Sequence, residues 1–74
     1  MVKYGVGIIG AGWVAGEHIR AFRDHPDTEV VAIAARDKDR ANACAAAQGV
    51  HCAALNSWEE LVARPDVNIV VIAS

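Results

Sequence analysis

The chain has 74 residues, 54% of them hydrophobic, with acids and bases interspersed to a formal net charge of −2. That length holds one small domain or part of a larger one. No basic patch with interleaved aromatics points to nucleic acid, and the apolar run Ile69 to Ala73 is too short to span a bilayer.

Lys3 to Ile9 reads as the first strand, its near-continuous apolar character suiting coverage on both faces. A helix follows from Trp13 or Val14 to Arg23, with Ala15, Ile19 and Phe22, and His18 beside them, forming a sheet-facing stripe. Asp24-His25-Pro26-Asp27 ends it, because proline lacks the amide and disfavours a helical residue before it. Glu29 to Ala35 is the second strand. Asp37 caps a second helix, which Asp39 supports with negative charge in the first turn. Ala41, Cys44, Ala45 and Gln48 share one side of that helix, and Gly49 is its C′ residue.

Val50 to Ala53 is predicted as a short third strand. Ser57 and Glu60 form a capping-box pattern for a short helix ending near Ala63. Arg64-Pro65-Asp66 turns the chain into a fourth strand, Val67 to Ala73. The 15 alanines permit close packing of helices on a sheet but bury little area each. The order β-α-β-α-β-α-β predicts an α/β parallel sheet, the first two crossovers having the length that parallel strands require and the third being near the lower limit. The last strand stops at Ser74 without the crossover expected after it, which reads as a truncation.

Gly10-Ala11-Gly12-Trp13-Val14-Ala15 fits the G-x-G-x-x-G/A fingerprint between a strand and a helix, the context that gives it meaning. Gly10 permits the tight turn, Gly12 leaves room for a pyrophosphate, and Ala15 allows close helix–sheet packing. The helix then aims its unpaired amides at the phosphates. The expected fold is therefore a partial Rossmann-like sheet, and the expected ligand is a dinucleotide. Gly16 is a less suitable third position than Ala15 on register.

The ribose-reading position lies at the end of the second strand, roughly 20 residues past the glycines. NAD-preferring sites usually place an acid there, but this strand ends in Ala35-Arg36-Asp37. Ala35 removes the anion that would repel a 2′-phosphate, and Arg36 is placed to pair with that phosphate or stack on adenine. NADP preference or dual use is expected, with NAD held through Asp37 as the other reading. His18 is near the cofactor end, whereas His25 and His51 sit in a turn and a short strand. Cys44, His51 and Cys52 lack metal-ligand spacing, and no Ser/His/Asp or paired-carboxylate constellation emerges. Reduced cysteines in a cytoplasmic protein are expected, and no signal peptide is evident at the N-terminus. Trp13 lies in the glycine loop, where its ring covers the pyrophosphate or a neighbouring element, and Trp58 reads as a packing anchor.

With these pieces in place, the chain resembles the N-terminal part of the glucose–fructose oxidoreductase/inositol dehydrogenase family. The distinctive run is Gly7-Ile8-Ile9-Gly10-Ala11-Gly12-Trp13-Val14-Ala15-Gly16-Glu17-His18. Ala35-Arg36-Asp37-Lys38-Asp39-Arg40-Ala41, Ser57-Trp58-Glu59-Glu60-Leu61 and Asp66 to Ser74 are similar to later segments of the family. The resemblance implies an NAD(P)-dependent oxidoreductase of sugars, polyols or related hydroxy compounds. It implies hydride exchange with nicotinamide C4 and proton handling by a lysine or histidine. The family's Glu-Lys-Pro motif would lie beyond Ser74, and Ser74 itself would lead into a cofactor-side loop. Ala35 departs from the acid of many NAD-using relatives.

The cofactor-binding set is thus Gly10, Gly12, Trp13, Val14, Ala15, Ala35, Arg36, Asp37 and Ser74, with no catalytic or metal-ligating residue. The 74 residues alone are expected to be inert, and an exposed edge of the last strand favours self-association. Two other classes fit the residues: a non-catalytic dinucleotide sensor, and a structural fragment without independent activity.

Overall fold

In the computed structural model, which describes residues 3–73, strands and helices alternate along the chain. They are β1 (Tyr4–Ile9), α1 (Trp13–Asp24), β2 (Thr28–Ala34), α2 (Lys38–Ala47), β3 (Ala53–Leu55), α3 (Trp58–Val62) and β4 (Ile69–Ile72). All strand pairs are parallel, in the order β3-β2-β1-β4. This is the β-α repeat of a partial Rossmann fold, as the alternating pattern predicts.

Alternation along the strands divides the core between the two faces. Val6, Ile8, Val30 and Ile33 cluster with Ala15 and Ile19 of α1 and with Ala41 and Ala45 of α2. Ala32 and Ala34 cluster instead with Leu61 of α3. Val6, Ile8, Ile19, Ile33 and Leu61 are fully buried. Each such side chain stabilises the fold by about 1.5–3 kcal/mol relative to exposure. The alanines of α2 add little area, but they let the helix close onto the sheet.

Bare positions on β1 set how near α3 and its following turn approach. A Cβ on Gly7 would lie 2.6 Å from Leu61 Cδ2, and one on Gly5 would land on the Asp66 carbonyl. The β1–β2 register shifts between Val6 and Gly7, so that Val6 faces Val30 but Gly7 faces Ala32. Val31 is the extra residue of this bulge.

The helix ends follow the capping chemistry of the sequence. Asp37 Oδ1 accepts the Arg40 amide at 2.8 Å, as an N-cap does. Gly49 takes φ +67°, Gly49 N–H donates to Ala46 O at 3.1 Å, and Val50 N–H donates to Ala45 O at 3.0 Å. Those two bonds form a Schellman closure. They also correct the expected third strand. Val50 belongs to the helix cap, His51 and Cys52 carry the chain across, and β3 begins only at Ala53. It ends later than expected, at Leu55, whose carbonyl accepts the Ala35 amide at 3.0 Å.

The fourth strand is shorter than Val67 to Ala73. Asn68 brackets Gly5, its Oδ1 accepting the Gly5 amide and its own amide donating to Gly5 O, both at 2.8 Å. The regular ladder therefore starts at Ile69. Only half of the capping box at α3 forms as drawn. Ser57 Oγ accepts the Glu60 amide at 3.3 Å and donates to Glu59 Oε1 at 3.0 Å.

Candidate cofactor-binding site

The carboxyl ends of parallel strands open onto a crevice wherever their connections diverge. Here the ends of β1, β2 and β3 meet in a cleft of about 830 Å³. Ile9 to Val14 line its middle, Ala34 to Arg36 with Arg40 one side, Asn56 to Glu59 another, and Ala73 adjoins them.

The glycine loop is shaped for a close approach. Gly10 has φ +118°, a conformation that L side chains rarely adopt, and its amide donates to Ala34 O at 2.8 Å. That bond ties the loop to the end of β2. Gly12 is the N-cap of α1, with no side-chain cap bond, and a Cβ built there meets nothing within 4 Å. The position borders the cleft and has open space about it, so the missing side chain leaves room that a ligand can enter. The first return bond of α1 is Gly16 N–H to Gly12 O at 3.2 Å. The amides of Trp13, Val14 and Ala15 therefore precede the helix's own ladder, and of these three residues Trp13 and Val14 line the cleft, where an anion can meet them. No acid stands in this first turn.

The ribose end has a different character. Arg36 and Arg40 both line the cleft and are exposed. The other three arginines are engaged: Arg20 pairs with Glu17, Arg23 with Asp24, and Arg64 with Asp66. Among the described residues, Arg36 and Arg40 have no carboxylate partner. Asp37, the acid nearest in sequence, is turned to the cap of α2 and does not line the cleft. Among the described residues, the one acid that does is Glu59, whose Oε1 accepts from Ser57.

The structure brings Gly10, Gly12, Trp13, Val14, Ala35 and Arg36 together around one opening. Ala15 is fully buried beneath it in the core, and Asp37 stands outside the lining. Ser74 lies outside the described residues. Trp58 departs from the sequence expectation of a packing anchor. Its indole is 55% exposed and lines the cleft, because the cap at Ser57 starts α3 at the cleft rim and Leu61, one turn on, takes the core position. Arg40, Asn56 and Glu59 also join the lining unannounced by the glycine motif. Arg40 was legible in one respect, since it is the residue whose amide an Asp37 cap must hold.

The remaining reactive side chains sit elsewhere. His18 is half-buried on α1 and does not line the cleft. Cys44 and Cys52 are free and half-buried, and burial pushes both thiols up, with the neighbouring Cys44 adding to the rise at Cys52. Among the described residues, no group of three His, Cys, Asp or Glu side chains gathers in a metal-binding arrangement.

Residues 4–74 match the family described as "Oxidoreductase family, NAD-binding Rossmann fold", GFO_IDH_MocA. The chain is similar to an uncharacterized oxidoreductase of Synechocystis sp., sll0816, at 38% identity over 69 residues, covering 93% of this chain and 18% of that protein. It is similar to the solved structure of a myo-inositol dehydrogenase from Lactobacillus casei in complex with NAD(H) and myo-inositol. The TM-score is 0.86 at 29% identity, over 100% of this chain and 22% of that one. It is also similar to KijD10, a 3-ketoreductase from Actinomadura kijaniata in complex with NADP. There the TM-score is 0.80 at 33% identity, over 92% of this chain and 21% of that one. The chain thus spans about a fifth of the length of these relatives.

Proposed function

The chain belongs to the Gfo/Idh/MocA family of oxidoreductases with an NAD-binding Rossmann fold, and on that premise we propose that its cleft holds a nicotinamide dinucleotide, NADP in preference to NAD. Residues 1–74 would be the N-terminal part of the cofactor-binding domain, with the substrate domain elsewhere in a longer protein. The observation that carries this reading is the single cleft joining the bare Gly12, the free amide end of α1 and the two unpartnered arginines.

In this reading Gly10 holds the turn, and Gly12 admits the pyrophosphate to the backbone. The amides of Trp13 and Val14 bond its oxygens, and the buried Ala15 keeps the helix close enough to the sheet to aim them. Ala35 places no acid at the end of β2, where a carboxylate would repel a 2′-phosphate. Arg36 and Arg40 supply two guanidinium groups to a 2′-phosphate, a dianion that each can bond through paired N–H donors. Asp37 supports them indirectly, since its cap fixes the first turn of α2 from which Arg40 projects. Ser74 would continue the cofactor side beyond the described residues.

A bound dinucleotide supplies the hydride acceptor or donor at nicotinamide C4. The similarity to a myo-inositol dehydrogenase and a 3-ketoreductase supports a sugar, polyol or related hydroxy compound as substrate of the longer protein. Among the described residues no histidine or lysine lines the cleft, and the one acid that does is bonded to Ser57. The residues that move the substrate proton would therefore come from outside this chain, and the 74 residues alone would bind without turnover.

Calorimetric titration of the chain with NADP and NAD tests the cofactor reading. NADP is expected to bind at least about tenfold more tightly, as one additional charge-assisted contact implies. Tighter binding of NAD would overturn the preference, and binding of neither would overturn the dinucleotide reading. Measurable reduction of nicotinamide by these residues alone, with any polyol, would contradict the assignment of proton transfer elsewhere.

A further inference from the structure

Trp58 is a large aromatic side chain that the core does not use. Its indole is 55% exposed, although Leu61 of the same helix is fully buried. The bond from Ala35 N–H to Leu55 O, 3.0 Å, holds the ends of β2 and β3 side by side. The residues that leave those two ends, Arg36 and Trp58, consequently line the same cleft. One carries a planar cation without a carboxylate partner among the described residues, the other a planar indole. A flat heteroaromatic ring fits such a pair, because either plane stacks on it and neither requires a particular pattern of hydrogen bonds.

We propose that Trp58 is the stacking platform for the purine base of the bound nucleotide, with the face of the Arg36 guanidinium on the opposite side of the base and its N–H edge turned to the 2′-phosphate. The assignment rests on the reading of the cleft as a dinucleotide site, and it adds a residue that the glycine fingerprint does not contain. Trp58 here fixes the adenosine half, while the glycine loop fixes the phosphates. The base end would then be recognised by shape and stacking, and a purine would be favoured over a pyrimidine through its larger overlap.

The test uses the isotope-labelled chain and two probes, ADP and inorganic pyrophosphate, followed by nuclear magnetic resonance. The two indole N–H signals are told apart by the one that W58F removes. On addition of ADP, the Trp58 signal of the native chain is expected to shift upfield by ring current, and pyrophosphate is expected to leave it in place. W58A is expected to weaken ADP about tenfold, in line with the loss of one stacked base. It should leave pyrophosphate within about twofold, and W58F should retain most of the ADP affinity. Unchanged ADP affinity in W58A would overturn the platform, as would an equal loss for both probes in W58A and W58F. If the native chain binds neither ADP nor a dinucleotide, the underlying cofactor reading fails instead.

Discussion

Leu61 rests on the space where Gly7 has no side chain: a Cβ at position 7 would stand 2.6 Å from Leu61 Cδ2. The helix that carries Trp58 to the cleft is seated by that contact. G7A should cost about 1–3 kcal/mol, since the leucine tip can shift to relieve part of the overlap. G5A should cost more, because its methyl would meet the Asp66 backbone carbonyl, which cannot rotate away. Urea unfolding of both variants checks the order. A G5A chain as stable as G7A would contradict the assigned packing.

Gly10 and Gly12 are expected to separate folding from binding. G10A puts a Cβ on a backbone at φ +118°, and destabilisation of at least about 1–2 kcal/mol should follow. G12A has open space and an ordinary negative φ, so its stability cost should stay below about 1 kcal/mol. Its methyl nevertheless occupies the approach to the α1 amides, and dinucleotide affinity should fall at least about tenfold. Denaturation and calorimetry on the same preparations decide it. Retained affinity in a folded G12A chain would sink the pyrophosphate assignment.

The ribose end should respond to a single charge. A35D places a carboxylate beside Arg36 and near the proposed 2′-phosphate, where like charges repel. The ratio of NADP to NAD affinity is expected to fall at least about tenfold, with R36Q and R40Q each giving part of that fall. Competitive titration measures the ratio directly. Loss of both cofactors in equal measure would show that these arginines grip a group the two cofactors share.

Much of this architecture can be read in the chain itself. The alternating apolar runs give the sheet, Asp37 and Gly49 mark the ends of α2, and the spacing of Gly10 and Gly12 locates the loop. The missed parts have a common cause, namely bonds between residues whose proximity is tertiary. Val50 looks like a strand residue until its amide is seen closing α2 on Ala45. Trp58 looks like a packing residue because an indole at a helix start usually is one; its exposure depends on Leu61 filling the site above Gly7. The joining of Arg36 with Asn56 to Glu59 follows from the β2–β3 pairing, which no local motif announces.

The turn between α3 and β4 gives the fold an acid-sensitive point. Arg64 donates from Nε and Nη2 to the two oxygens of Asp66 at 3.0 and 2.8 Å. Those hydrogen bonds hold the Asp66 carboxyl below its ordinary range. A carboxyl lowered on folding contributes stability above its unfolded value, and that contribution is lost as the pH falls through the folded value. Stability should therefore decline on acidification, more in the native chain than in D66N. Parallel denaturation series in mildly acidic and neutral buffer test this; identical pH profiles would remove Asp66 from the account.

One face of β4 presents Val70 and Ile72, 42% and 72% exposed, and the strand is paired on one edge only among the described residues. An uncharged edge of this kind is a template for pairing. The chain is expected to associate as its concentration rises, and I72E to suppress association without loss of fold. Sedimentation velocity across a concentration series gives the answer. A chain that stays monomeric at millimolar concentration would end this expectation.

Val31 is half-buried in the sheet and does not line the cleft, yet it governs where the proposed ligand contacts fall. Its insertion opposite β1 keeps Ile33 on the α1 face and Ala34 over Leu61, and draws the end of β2 back by one residue, about 3.3 Å, relative to an uninterrupted register. The reach of Arg36 is thereby set by a step in strand counting, and cofactor choice acquires a lever that no survey of the cleft wall would reveal.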